Sequence, residues 1–188
     1  MTAFGCVGST IRLRSGIYLD LADPQPESIT PEDIAGALSK ICRFGGQINA
    51  FYSVAEHCCR CAFQAGIDGL PLELCRSVFL HDAAEAFCGD MVKPLKELLP
   101  GFSEIELRIE RAIEQRFGVD LTGKEAKAAI RKIDWEALIA ERKSLFSADD
   151  VEWSGEKSVR PLGWKIHPLN PSGAEHEWFV TAERLGIN

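Results

Sequence analysis

The chain has 188 residues, of which 46% are hydrophobic and 26% charged, and its formal net charge is −7. That length supports one sizeable core, so the expectation is a single domain over 1–188. The acidic balance excludes a broad nucleic-acid footprint, which needs a basic excess, but it leaves room for a small anion held by a few local cations. Seven cysteines is an odd number. Cys58, Cys59, Cys61 and Cys75 fall in segments with helical patterning. On a helix, positions 58, 59 and 61 diverge, so they do not gather on one ion. They read as reduced, largely buried thiols, which places the chain in a reducing cytosol. The opening residues lack the apolar stretch of a signal peptide, and no run of membrane-spanning length follows.

In chain order, the first element is a β-hairpin over about 10–21, where Ile11, Leu13, Ile17 and Leu19 alternate around Ser15-Gly16. A turn-rich connector (22–28) leads to helices at about 31–42, 53–66, 71–87, 103–117 and 123–147. Thr30-Pro31-Glu32-Asp33 supplies a cap, a first-turn proline and acids at the positive helix end. Ser53…Glu56, Ser103…Glu106 and Thr122…Glu125 each fit the capping box. Residues 147–158 form a polar loop, "GWKIHPL" reads as a strand returning to the hairpin, and "SGAEHEWFVTAERLG" reads as a terminal helix. The fold class is all-α, a helical bundle (core about 30–147) with a small β addition and a tail over 148–188.

The chemistry begins with polar residues on apolar faces. His57 lies on the stripe Val54, Cys58, Cys61, Ala62, Ala65. A core-facing histidine must be hydrogen-bonded or bound to something, and a satisfied core histidine is the commoner case. In the next helix Asp82 continues the stripe Leu72, Cys75, Phe79, with His81 beside it and Glu85 one turn on. An uncompensated carboxylate there costs several kcal/mol, roughly the effective burial penalty of an ion, and a divalent cation is a natural compensation. Asp134, four residues after Ile130, points inward from the last core helix. A partner in Arg131, Lys132 or a spatially close Arg43 is the competing explanation. Two histidines and two aspartates make a mixed N/O set that suits a catalytic transition metal or magnesium better than structural zinc.

The order His57 … His81-Asp82 … Asp134, with "SKICRFGG", "YSVAEHC" and "LHDAAEAFCGDMVKPLK", resembles the HD-domain metal-dependent phosphohydrolases. It is similar to their 5'-deoxynucleotidase branch and its small bacterial and phage relatives, which include deoxynucleoside triphosphate hydrolases. The resemblance covers about residues 30–146. It implies that His57, His81, Asp82 and Asp134 hold a divalent metal (Mn, Co, Zn, Fe or Mg) and that Glu85 positions or activates the attacking water. It further implies that Asp90 is a second acid near the leaving group, and that Arg43 and Lys96 receive phosphate. Phe44 stands where that branch often has tryptophan against the nucleoside, and Lys93 where the monophosphatases can have a neutral residue. An extra cation there keeps triphosphates open. Ordinary structural roles remain open for five of these residues: Arg43 as a helix cap, Lys93 and Lys96 as a solvated pair, Asp90 as a turn residue, Phe44 as core.

The expected activity is removal of phosphate from deoxynucleoside monophosphates. The alternatives are a deoxynucleoside triphosphate triphosphohydrolase releasing nucleoside plus triphosphate, and a non-catalytic nucleotide-binding protein of the same fold. The expected partners are a deoxynucleotide and further copies of the chain, with apolar residues such as Leu107 and Ile113 suiting a dimer or larger assembly. No stable nucleic-acid or membrane contact is expected.

Overall fold

The computed structural model describes residues 8–188 apart from 149, 150, 152, 154 and 161. The hairpin forms as β1 (Thr10–Arg12) and β2 (Tyr18–Asp20), antiparallel, with Ile11 opposite Leu19. Gly16, at φ 94°, allows the reversal, and the Leu13 amide donates to the Ile17 carbonyl across it at 2.8 Å. Leu13 and Leu19 turn into the core, and the Ser15 amide donates to Asp33, tying the hairpin to the first helix.

That helix is α1 (Pro31–Leu38), capped by Thr30, whose hydroxyl accepts from the Asp33 amide. Then follow α2 (Val54–Ile67), α3 (Leu72–Leu80), α4 (Glu85–Cys88), α5 (Lys93–Leu98), α6 (Phe102–Phe117), α7 (Lys124–Leu145) and α8 (Pro171–Leu185). The protein is mainly helical with one small two-stranded antiparallel sheet, and none of its described helices is long and apolar enough to cross a membrane. The α2 helix is central and packs against α3, α7 and α8. Buried Leu19, Ile34, Leu38, Val54, Phe79, Ile109, Ile113 and Trp178 belong to one core around it. Phe79 and Trp178 bring their ring centroids to 4.8 Å, within the range of favourable aromatic pairs. Ile113 is therefore spent inside the chain's own core, not on a face left for a second copy.

Of the three capping boxes, the one at α2 forms. Ser53 Oγ accepts from the Glu56 amide while Glu56 Oε2 accepts from the Ser53 amide. The same carboxylate reaches far along the chain, its Oε1 accepting from the Leu169 amide at 2.9 Å. Ser53→Ala is expected to cost about 1–2 kcal/mol, measured by urea denaturation. At α6 and α7 the caps are instead Gly101 and Gly123. The Thr122 hydroxyl is diverted to Glu114 of α6, which also takes the Leu121 and Thr122 amides.

The segment expected as one helix over 71–87 divides. His81 Nδ1 donates to the Val78 carbonyl at 2.7 Å. The next turn then tightens to three-residue bonds, Ala83 to Leu80 and Glu85 to Asp82. An imidazole thus takes a carbonyl that a continuing helix would use for the Asp82 amide. The expected strand at 163–169 is absent among the described residues. That segment is stapled to α2 and α7 by side chains: Arg160 to Asp68 and Glu136, Trp164 Nε1 to Gln64, and the Leu169 amide to Glu56. Side-chain bonds take the place of a ladder, so no strand partner is needed. The terminal helix forms as expected. Cys42, Cys58, Cys59, Cys61, Cys75 and Cys88 are free thiols.

Candidate metal centre

Elements distant in sequence deliver the predicted ligands to one point. His57 comes from the middle of α2, His81 and Asp82 from the tightened turn after α3, and Asp134 from the middle of α7. Ligand atoms of His57, His81 and Asp82 lie within 4.8 Å of one another. The two Nε2 atoms are 3.2 Å apart. Asp82 Oδ2 is 3.2 Å from His81 Nε2 and 3.5 Å from His57 Nε2. Asp134 Oδ1 is 3.3 Å from His57 Nε2 and 3.9 Å from His81 Nε2. Metal–nitrogen and metal–oxygen bonds of about 2.0–2.2 Å place neighbouring donors about 3.0–3.5 Å apart, so most of these separations suit a shared ion.

Proton positions sharpen the point. Glu141 Oε1 accepts from His57 Nδ1 at 2.7 Å, and the Val78 carbonyl accepts from His81 Nδ1. Both acceptors need a proton on Nδ1, which leaves each Nε2 with a lone pair in the neutral imidazole. Two lone pairs and two carboxylate oxygens then face one another, and only a cation or added protons reconcile them. In the bare protein protons do so: burial and Arg43 lower the pKa of His57, but Cys61, Glu141 and Asp134 raise it more, leaving it well above its ordinary value. Burial likewise lowers His81, and Asp82 more than offsets it. Burial raises Asp82, yet His81, His57 and Arg43 hold it well below the usual carboxylate range. A divalent ion would displace those protons.

Glu141, absent from the sequence-based set, is the hub behind the ligands. It is fully buried on α7, two turns beyond Asp134. Besides His57, its Oε1 accepts from the Tyr52 hydroxyl at 3.0 Å and its Oε2 from Arg43 Nε at 3.1 Å. The i,i+7 spacing from Asp134 was the available signal. Arg43 is buried, and its Nη1 and Nη2 approach Asp82 Oδ2 at 3.3 Å and Asp134 Oδ1 at 3.9 Å. It lies in the cluster and does not merely cap α1.

Glu85 stands at the edge of this group. Its Oε2 is buried without a hydrogen-bond partner among the described residues, and burial, then Asp82 and Asp90, push its pKa well above the ordinary range. Asp90, after Gly89 at φ 82°, is raised by burial and acts electrostatically on Arg43 and Glu85. Lys96 is claimed chiefly by Glu106 at 2.6 Å and leans toward Glu85 at 3.8 Å, so an incoming phosphate competes with an internal ion pair. Lys93 is exposed in the first turn of α5 and has no ion-pair partner among the described residues. Phe44 adjoins Arg43 but packs against Phe146 and Trp153. Five carboxyl groups (Asp82, Asp134, Glu141, Glu85, Asp90) thus meet two permanent cations, Arg43 and Lys96, so the cluster needs either bound protons or a metal ion to balance its charge.

The fold and this cluster define a mainly α-helical protein with a partly buried His/Asp centre whose donors fit a divalent cation. No family model matches the chain. It is 33% identical over 178 residues to the uncharacterized protein YfdR of Escherichia coli (strain K12), covering 94% of each chain. It is also 33% identical over 147 residues to the uncharacterized protein RCAP_rcc00048 of Rhodobacter capsulatus, covering 75% of each. The chain belongs to the YfdR family.

Proposed function

We propose that this protein is a metal-dependent phosphohydrolase of the HD-domain type, acting in the cytoplasm on deoxynucleotides, with monophosphates as first substrates. The observation that carries the reading is the meeting of four lone-pair donors from His57, His81, Asp82 and Asp134 beside the unpartnered Oε2 of Glu85. Those four side chains would hold the ion. When bound, a divalent cation lowers the pKa of water from about 15.7 toward 7 and polarises a phosphoryl oxygen. Glu85 Oε2 has no competing bond and can take the proton of the attacking water. Arg43 carries fixed positive charge to the phosphate, which is most of what phosphoryl transfer asks of a protein. Lys96 adds a second cation once it leaves Glu106. Asp90, whose pKa burial raises within the fields of Arg43 and Lys96, is the candidate acid for the leaving oxygen.

Exposed Lys93 favours keeping a triphosphate substrate as the second reading, because it is a cation one turn before Lys96 with no ion-pair partner among the described residues. Purified protein, stripped with chelator and resupplied with manganese, cobalt or magnesium, is expected to release orthophosphate from a deoxynucleoside monophosphate panel. Tripolyphosphate from the triphosphates would establish the second reading. Nucleotide binding without turnover under every metal would establish a regulatory protein.

A further inference from the structure

The turn that carries Arg43 has an unusual backbone. Phe44 has φ 58°, the one positive value at a non-glycine position among the described residues, and Gly45 and Gly46 follow at 58° and 75°. Glycine enters this region freely, whereas a bulky aromatic residue does so only when its surroundings fix it. The surroundings here are the residues just after α7. The Phe146 ring meets Phe44 edge-on with centroids 5.1 Å apart, Trp153 lies 6.3 Å from Phe44 and 5.8 Å from Phe146, and Arg142 covers the Trp153 ring at 4.9 Å. The Asn49 amide also donates to the Leu145 carbonyl, which fastens the end of the turn to α7. The Arg43 guanidinium also sits over the Phe44 ring, 5.4 Å from its centroid. The Phe44 ring therefore neighbours both Trp153 and the cation that reaches Asp82, Asp134 and Glu141.

We propose that Trp153 is a positioning residue: by clamping the Phe44 ring it holds the left-handed turn and thereby keeps the Arg43 guanidinium aimed at the metal centre. The clamp is a matter of geometry alone; its consequence for phosphate rests on the hydrolase reading above. Trp153 also meets Phe146 and Arg142, neither of them a candidate ligand, so the Phe44 background is what shows whether its removal acts through Phe44.

The test compares Trp153→Ala, Trp153→Phe, Phe44→Asn and the Trp153→Ala/Phe44→Asn double variant, asparagine being a residue that tolerates the left-handed turn. Two readouts are used: amide hydrogen exchange at Gln47 and Asn49 in metal-free protein, and calorimetric binding of manganese and then inorganic phosphate. Trp153→Ala is expected to speed exchange at both amides by roughly tenfold or more, a local opening with the core intact. It is also expected to weaken phosphate binding by a similar factor, with no loss of manganese affinity. Trp153→Phe should stay near wild type. In the Phe44→Asn background, Trp153→Ala should add nothing, because residues acting through one contact are not additive. Unchanged exchange in Trp153→Ala overturns the clamp, and additive effects in the double variant overturn its action through Phe44. If wild type binds neither manganese nor phosphate, the hydrolase reading fails, and the exchange data alone decide the clamp.

Discussion

Glu141→Gln is expected to lower manganese affinity about 10- to 100-fold, the usual scale for losing an outer-shell partner of a metal-ligating histidine. It should also destabilise the metal-free protein by about 3–5 kcal/mol, the scale of breaking a buried charge pair. The substitution preserves size, so the effect is one of hydrogen-bond polarity. Three donors face the carboxylate: Arg43 Nε, the Tyr52 hydroxyl and His57 Nδ1. A glutamine amide offers one oxygen and one NH2 group. If its oxygen takes the Oε1 position, the NH2 group faces Arg43 and repels the guanidinium. If its oxygen takes the Oε2 position, the NH2 group faces His57 Nδ1, which must then accept. The proton moves to Nε2, and the imidazole can no longer ligate. Neither orientation serves both neighbours, because in the wild type a single ionised group satisfies all three. Metal titration by calorimetry and urea denaturation without metal read the two effects separately. Unchanged affinity with reduced stability would reduce Glu141 to a structural anchor.

The helices were legible where an apolar stripe ran alone, as in α2 and α8. They were less so where side chains competed with the backbone. His81 taking the Val78 carbonyl splits the expected 71–87 helix, and Glu114 draws Thr122 away from its capping role. The α5 helix has no buried residue, so it carries no stripe to read. The candidate ligands were visible because His57, Asp82 and Asp134 fell on apolar faces where a charged or titratable group is costly, with His81 beside Asp82. Glu141 escaped because "AERK" looks like an ordinary solvated stretch, and only its partners in other elements, Tyr52, His57 and Arg43, reveal it as buried. The resemblance put Phe44 near the site, but its left-handed backbone is set by Phe146 and Trp153, about a hundred residues away. No local pattern carries that information.

Glu85→Gln is expected to remove turnover and raise stability at once, an opposition that separates a working carboxylate from a structural one. Loss of a general base lowers rates about 10²- to 10⁴-fold. Glutamine keeps the shape yet cannot take the proton that Oε2 is free to accept. Stability moves the other way. Burial, Asp82 and Asp90 all raise the pKa of Glu85, with Arg43 and Lys96 offsetting only part. The folded protein therefore binds this proton more tightly than the unfolded chain does. Its contribution to stability is full below the unfolded value of about 4.3 and is lost as pH rises through the folded value. The variant carries no such loss. Metal-free Glu85→Gln should match wild type in acid and exceed it increasingly as pH climbs past the ordinary carboxylate range, followed by urea denaturation from pH 4 to about 8. Manganese should shrink the gap, since a nearby cation favours the ionised carboxylate. A variant less stable than wild type at neutral pH would mean that the Glu85–Lys96 contact outweighs burial, and full activity in that variant would move the proton acceptor elsewhere.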